Sequence, residues 1–204
     1  MGKYTPTLNR HDKAEYIRAH LFNELRWLLG AATEWSVQEQ LKLEIVGYDV
    51  RVYAMDSAFL HARTLFEFFV HLTNDNHYGC DAFIGSVLTS DSYRIWKGPL
   101  HSFLMHAQDR SRPTPLRSSG VAKPLNKLPV DFANEILRLW REFEKALGNC
   151  KNVEDQELQK LACDRRKEAI LLARYVVNSP VAQQHASSKK QILTPVSKLI
   201  DDLR

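Results

Sequence analysis

The sequence predicts an all-α protein, an up-and-down helical bundle with a long, buried central helix and a C-terminal tail helix. Three observations lead there. The stretch Met55–Leu72 (MDSAFLHARTLFEFFVHL) carries two apolar stripes at helical spacing: Met55, Phe59, Ala62, Phe66 and Phe69, then Ala58, Leu65 and Leu72. Val130–Leu147 places Phe132, Ile136, Leu139, Trp140, Phe143 and Leu147 on one side, the pattern of an amphipathic helix. No segment with the two-residue period of a strand is longer than Glu44–Val52.

Taken in order, the first helix is expected from about Asp12 to Ala32, with Ala14, Leu21, Leu25, Leu28 and Ala32 on its apolar stripe. Helix resumes within Gln38–Val46, and Gly47 with the β-branched Val50 and Val52 predicts a bend before the central helix. Thr73–Gly79 (TNDNHYG) is a breaker. Short helices are expected near Asp81–Leu88 and Ser92–Trp96. Gly98-Pro99 then starts a new helix, with proline in its first turn.

Arg112–Pro129 holds four prolines and Ser118-Ser119-Gly120, and reads as a long loop. Gly148-Asn149 should end the Val130–Leu147 helix, and a further helix should run from about Glu154 to Asn178. These elements give one bundle domain over residues 1–180. Residues 181–204 form a linker and a short amphipathic tail helix, begun by Thr194-Pro195 and carrying Val196, Leu199, Ile200 and Leu203.

Composition narrows the class. Apolar residues make up 44% and charged residues 25% of the 204 positions, a balance that supports a packed core rather than disorder. The three cysteines (Cys80, Cys150, Cys163) are an odd number without close pairing, so a disulfide framework is not expected. No apolar run is long enough for a membrane span, and MGKYTPTLNRHDK lacks the apolar segment of a secretory signal. Pro6 stands where a myristoylation signal wants Ser or Thr. The expectation is a cytoplasmic protein without membrane attachment.

Charge is distributed unevenly. The net charge is +4, yet Arg110, Arg112, Arg117, Lys123 and Lys127 put five cations and no acid into one proline-rich stretch. A basic loop of this kind suits a phosphate-bearing partner, because cations that displace counterions bind nucleic acid without reading its sequence. Arg112, Arg117, Lys123 and Lys127 are therefore candidate phosphate contacts. The loop has no aromatic residue, so any stacking on bases must come from elsewhere. The competing reading is a solvated loop whose charges serve solubility.

His106 and Arg110, four residues apart, share a helical face and are the candidate catalytic pair: imidazole as general base, guanidinium on phosphate. Arg63, Glu67 and His71 repeat at four-residue steps on the otherwise apolar central helix and form a candidate polar cluster, with Glu67 or Asp56 as natural partners for His106. His71, His77 and Cys80, with Asp75 and Asp81 nearby, have irregular spacing and a single thiol, so no metal is expected. No phosphate-cradling glycine loop, catalytic triad spacing or HExxH helix is present, and no cofactor is expected.

Two segments resemble a group of uncharacterised bacterial all-helical proteins that carry "hARnLidFF" and, about 40 residues later, "NKxxAHLTxxR". Here they read His61-Ala62-Arg63-Thr64-Leu65-Phe66-Glu67-Phe68-Phe69 and Leu104-Met105-His106-Ala107-Gln108-Asp109-Arg110. Ser102-Phe103 replaces the usual Asn-Lys, and Ala107-Gln108 replaces Leu-Thr. The resemblance implies that Arg63, Glu67, His106 and Arg110 occupy the group's recurrent polar positions. More distantly the pattern is similar to the HEPN superfamily of helical bundles, many of them ribonucleases or nucleotide binders that act as dimers. Their ribonuclease signature is an arginine and a histidine with four to six residues between them. Arg94-x6-His101 is the one instance here; chance alone supplies roughly two, and the pair straddles the expected helix start at Gly98-Pro99.

The function expected from these readings is a non-enzymatic, HEPN-like binding protein for nucleic acid, nucleotide or a protein partner, acting as a homodimer. The tail helix docks on its own bundle or on a protein partner. The alternatives are a metal-independent ribonuclease of a defence or toxin–antitoxin type, and a purely structural or regulatory interaction protein.

Overall fold

The structure, a computed structural model, describes residues 8–41, 51–75, 77–105, 117–118, 121–122, 128–149 and 153–177. It is an all-α bundle. The order is α1 (Arg10–Glu15), a π-helical segment (Tyr16–Leu21), α2 (Phe22–Leu41), α3 (Arg51–Val70), α4 (Asp81–Ile84), α5 (Asp91–Met105), a minimal antiparallel pair β1 (Arg117–Ser118) and β2 (Val121–Ala122), α6 (Leu128–Asn149) and α7 (Val153–Val177). The predicted tail helix lies outside the described residues. Among those residues, no helix is long and apolar enough to cross a membrane.

Asn9 starts α1 with a reciprocal cap: its Oδ1 accepts from the Asp12 backbone N–H at 3.0 Å, and Asp12 Oδ2 accepts from the Asn9 N–H at 3.3 Å. The π segment widens the helix by one residue per turn and buries Ile17 and Leu21. It also seats Tyr16 among the rings of Phe68, Tyr78 and Phe83. The first helical run continues to Leu41, well past the expected end at Ala32, because Trp35 and Val37 extend its buried stripe.

Helix α3 is the axis of the bundle, packed against α2, α5 and α6. Ala58, Phe59, Ala62, Leu65, Phe66 and Phe69 are fully buried, as the two stripes require. Phe59 and Phe66 meet Phe132 of α6 edge-on, and Phe69 meets Trp140 and Phe143. Leu72 corrects the second stripe. It is 66% exposed, because α3 ends at Val70 and the chain turns away before reaching it.

The expected breaker is present, and it is held tightly. The backbone N–H groups of His71, Cys80 and Leu88 donate to the carbonyls of Glu67, Phe68 and Phe69, closing the C-terminus of α3. Asp81 Oδ1 accepts from both the N–H and the hydroxyl of Thr73. At Gly79 a Cβ would stand 2.2 Å from the His71 carbonyl oxygen, so this close approach admits only glycine.

Two further boundaries differ from expectation. Helix α5 runs without interruption from Asp91 to Met105, so the pieces expected near Ser92–Trp96 and after Gly98-Pro99 are one helix. Proline removes one donor from the ladder, but Tyr93, Trp96 and Leu100 anchor the helix on both sides of it. Pro129 stands in the first turn of α6, where its missing N–H costs nothing, so Leu128-Pro129 belongs to that helix and not to the loop.

All six predicted apolar residues of α6 are buried. Trp140 Nε1 donates to the Ala162 carbonyl at 3.1 Å, and Arg166 makes two hydrogen bonds to Glu144 at 2.8 and 3.1 Å, joining α6 to α7.

Candidate functional site: the seam between α3 and α5

The polar residues on α3 and α5 form two facing rows. At α3 they are Arg63 and Glu67, with His71 directly after the helix end; on α5 they are Tyr93, Lys97 and His101. Each row has four-residue steps, which keep its members on one helical face. The helices run antiparallel here. His71 Nε2 and the Tyr93 hydroxyl share a hydrogen bond at 3.3 Å at one end, and His101 Nε2 lies 3.4 Å from Glu67 Oε1 toward the other. Arg63 Nε donates to that same Glu67 oxygen at 3.0 Å. Phe66, one residue before Glu67, stacks on the Tyr93 ring at 5.2 Å and fixes the spacing of the helices from below.

Glu67 carries the one carboxylate of the two rows, against the cations Arg63 and Lys97. It is already taken by the Arg63 guanidinium, and His101 Nε2, though near, makes no aligned hydrogen bond among the described residues. His77 extends the seam, with its ring 6.2 Å from that of His71. The electrostatics follow from burial first and from these charges second. Burial, then Lys97, pushes the His71 pKa below its ordinary value, and Glu67 opposes the shift. Burial, then Arg63, does the same to His101, again against Glu67. The Tyr93 phenol is pushed up to about 12, first by burial and then by Glu67. At neutral pH the seam therefore presents two uncharged imidazoles, a protonated phenol, two cations and one committed carboxylate. Such a set can receive an anion.

The depressed histidines set a pH dependence. The unfolded chain protonates them near the ordinary histidine value of 6.5, and the folded chain only below it. The folded state thus binds fewer protons between those values, and stability should fall as pH drops from about 6.5 through the folded pKa values. Urea unfolding midpoints of the wild type and of His101→Gln, compared on either side of that range, check this: the variant should lose part of the acid sensitivity.

Of the predicted site residues, Arg63 and Glu67 are paired directly, and His71 joins them through the shared strip and Tyr93. His106, Arg110, Arg112, Lys123 and Lys127 lie outside the described residues. Arg117 is placed by its backbone in β1, where it pairs with Ala122, and β1 contacts α5. The loop groups weighed as metal ligands are engaged otherwise. The buried Cys80 thiol donates to the Phe69 and Ser86 carbonyls, burial raises its pKa to about 11, and Asp81 serves Thr73. Among the described residues no three His, Cys, Asp or Glu side chains converge to hold a metal ion.

Compared with known proteins, the chain matches no family model, no curated protein and no solved structure. The candidate site therefore rests on this chain's own geometry. Tyr93, Lys97 and His101 are the residues that sequence reasoning did not assemble. Their signal was the four-residue repeat from Tyr93 to His101, which a helix break at Gly98-Pro99 concealed. Arg94, the partner of His101 in the ribonuclease-like spacing, stands on the same unbroken helix, yet its side chain is 78% exposed and pairs with Asp91.

Proposed function

We propose that this protein is a non-enzymatic binder of single-stranded nucleic acid that seats backbone phosphate at the α3–α5 seam. The observation that carries the reading is the pair of cations, Arg63 and Lys97, beside neutral histidines and a protonated tyrosine along the facing rows of α3 and α5. Arg63 keeps guanidinium N–H groups beyond the one given to Glu67, and Lys97 is exposed to solvent. The basic stretch that follows α5 in the sequence adds Arg112, Arg117, Lys123 and Lys127 to the cations available to such a strand, so affinity comes from phosphate neutralisation rather than from base identity. Kinship with HEPN-like bundles, and a homodimer that presents two such seams, belong to the same proposal.

A second reading is favoured by one observation: His101 is held uncharged beside Arg63. A neutral imidazole can take the proton of a ribose 2′-hydroxyl as its oxygen attacks the adjacent phosphorus. The bond to the 5′-oxygen then breaks, that oxygen leaves as a hydroxyl by taking a proton from solvent, and a 2′,3′-cyclic phosphate remains, with Arg63 neutralising charge on the phosphoryl oxygens. His106 and Arg110 remain the other candidates for these roles.

Titration of labelled single-stranded RNA at about 50 and 200 mM salt tests the proposal, with the RNA inspected for cleavage afterwards. Salt-sensitive binding with intact RNA is the expected result. Cleavage that His101→Gln removes would move the protein to the ribonuclease reading. Absence of binding at the lower salt would discard both.

A further inference from the structure

The outward strip of α3 does not end at the seam. At about 100° per residue, Tyr53, Ser57, Leu60 and Thr64 fall on the same face as Glu67 and His71. Tyr53 and Leu60 are large apolar side chains left 60% and 49% exposed. Beside them, between α2 and α3, lies a groove of about 420 Å³ lined by Arg26, Trp27, Gly30, Glu34, Gln38 and Tyr53 among others.

Four properties of this groove point to one kind of occupant. Trp27 is 45% exposed, although its ring already has the His61 ring on one side at 5.1 Å and the Arg26 guanidinium at 5.5 Å. His61 is in turn held by Glu24 at 2.8 Å, so the ring array is braced. Gly30 leaves open space, since a Cβ there would meet nothing within 4 Å. Finally, Arg26 Nε and Gln38 Oε1 are a donor and an acceptor without hydrogen-bond partners among the described residues, while the Gln38 amide nitrogen donates to Glu34 at 2.5 Å. Both atoms are covered, so a side-chain adjustment accompanies their use.

We infer that the Trp27–Tyr53 groove is a stacking platform for a nucleobase, continuous with the phosphate-binding seam along the outer face of α3. A planar heterocycle with donors and acceptors on its edge satisfies the rings and the two partnerless atoms together; a purely apolar ligand leaves the polar atoms stranded. Spacing agrees with a single strand. Ser57 at the groove and Glu67 at the seam are separated by roughly 15 Å at about 1.5 Å per residue, which a few nucleotides of extended chain can bridge. This inference rests on the nucleic-acid reading of the seam and supplies what the basic loop lacks, an aromatic surface.

The test compares a labelled oligouridylate with an abasic oligoribonucleotide of equal length, which keeps every phosphate and has no base. The full chain should bind the oligouridylate at least about tenfold more tightly, since one stacked base contributes a factor of this order. Trp27→Ala, and independently Gly30→Leu, which fills the groove and favours helix, should reduce the oligouridylate to the abasic level while leaving abasic binding unchanged. Equal binding of the two oligomers would overturn the platform and leave the phosphate seam standing. Binding of neither would overturn both.

Discussion

Replacing Lys97 with glutamate is expected to weaken single-stranded RNA binding by about tenfold to a hundredfold at low salt. Lys97 is the solvent-exposed cation of the seam, and it sits centrally on α5 between Tyr93 and His101. Reversal there removes one phosphate contact and sets a second carboxylate beside Glu67. The slope of log affinity against log salt should fall by about 1, since one counterion fewer is released. The fold should be indifferent, because no apolar burial is lost. Fluorescence anisotropy across a salt series, with thermal unfolding as the control, measures both. Unchanged affinity in a folded variant would remove the seam from the binding surface.

The largest effect on stability is expected at Glu144. This residue is 8% exposed, and both its oxygens accept from Arg166, which makes it a buried ion pair across the α6–α7 contact. Glu144→Ala leaves a largely covered guanidinium with its main partner gone and should approach the loss of about 3–5 kcal/mol that a fully buried pair costs to break. Glu144→Gln retains one acceptor and should cost less. Urea midpoints at unchanged m value give the comparison. A loss below about 1 kcal/mol for the alanine variant would mean that water or a neighbouring group replaces the carboxylate.

The fold was legible where one periodicity dominated. Phe59, Phe66, Phe132, Ile136 and Phe143 are buried because apolar residues repeated at helical spacing, and that pattern survives any uncertainty about neighbouring loops. Boundaries were less legible. Leu72 obeyed the α3 stripe by spacing alone, but the backbone had already left the helix to let His71, Cys80 and Leu88 cap it. Such long-range caps leave no mark in a local pattern.

Half of the candidate site was visible for the same reason. Arg63, Glu67 and His71 stood out as ionisable residues on an apolar helix. Tyr93, Lys97 and His101 did not, because Gly98-Pro99 is a strong local signal for a break. In the folded chain, burial of Tyr93, Trp96 and Leu100 outweighs the cost of a proline inside the helix. Glu144 shows the converse. It lies four residues after Trp140, on the side predicted to be buried, and its tolerance there depends on Arg166, twenty-two residues away.

The most direct measurement is the NMR titration of the histidine ring protons with and without saturating single-stranded RNA. If phosphate enters the α3–α5 seam, its negative charge favours the imidazolium forms. The pKa values of His71 and His101, depressed in the free protein, should then rise on binding. Bound RNA that leaves the titrations of His71 and His101 where they were would contradict the account and place the nucleic acid elsewhere on the protein.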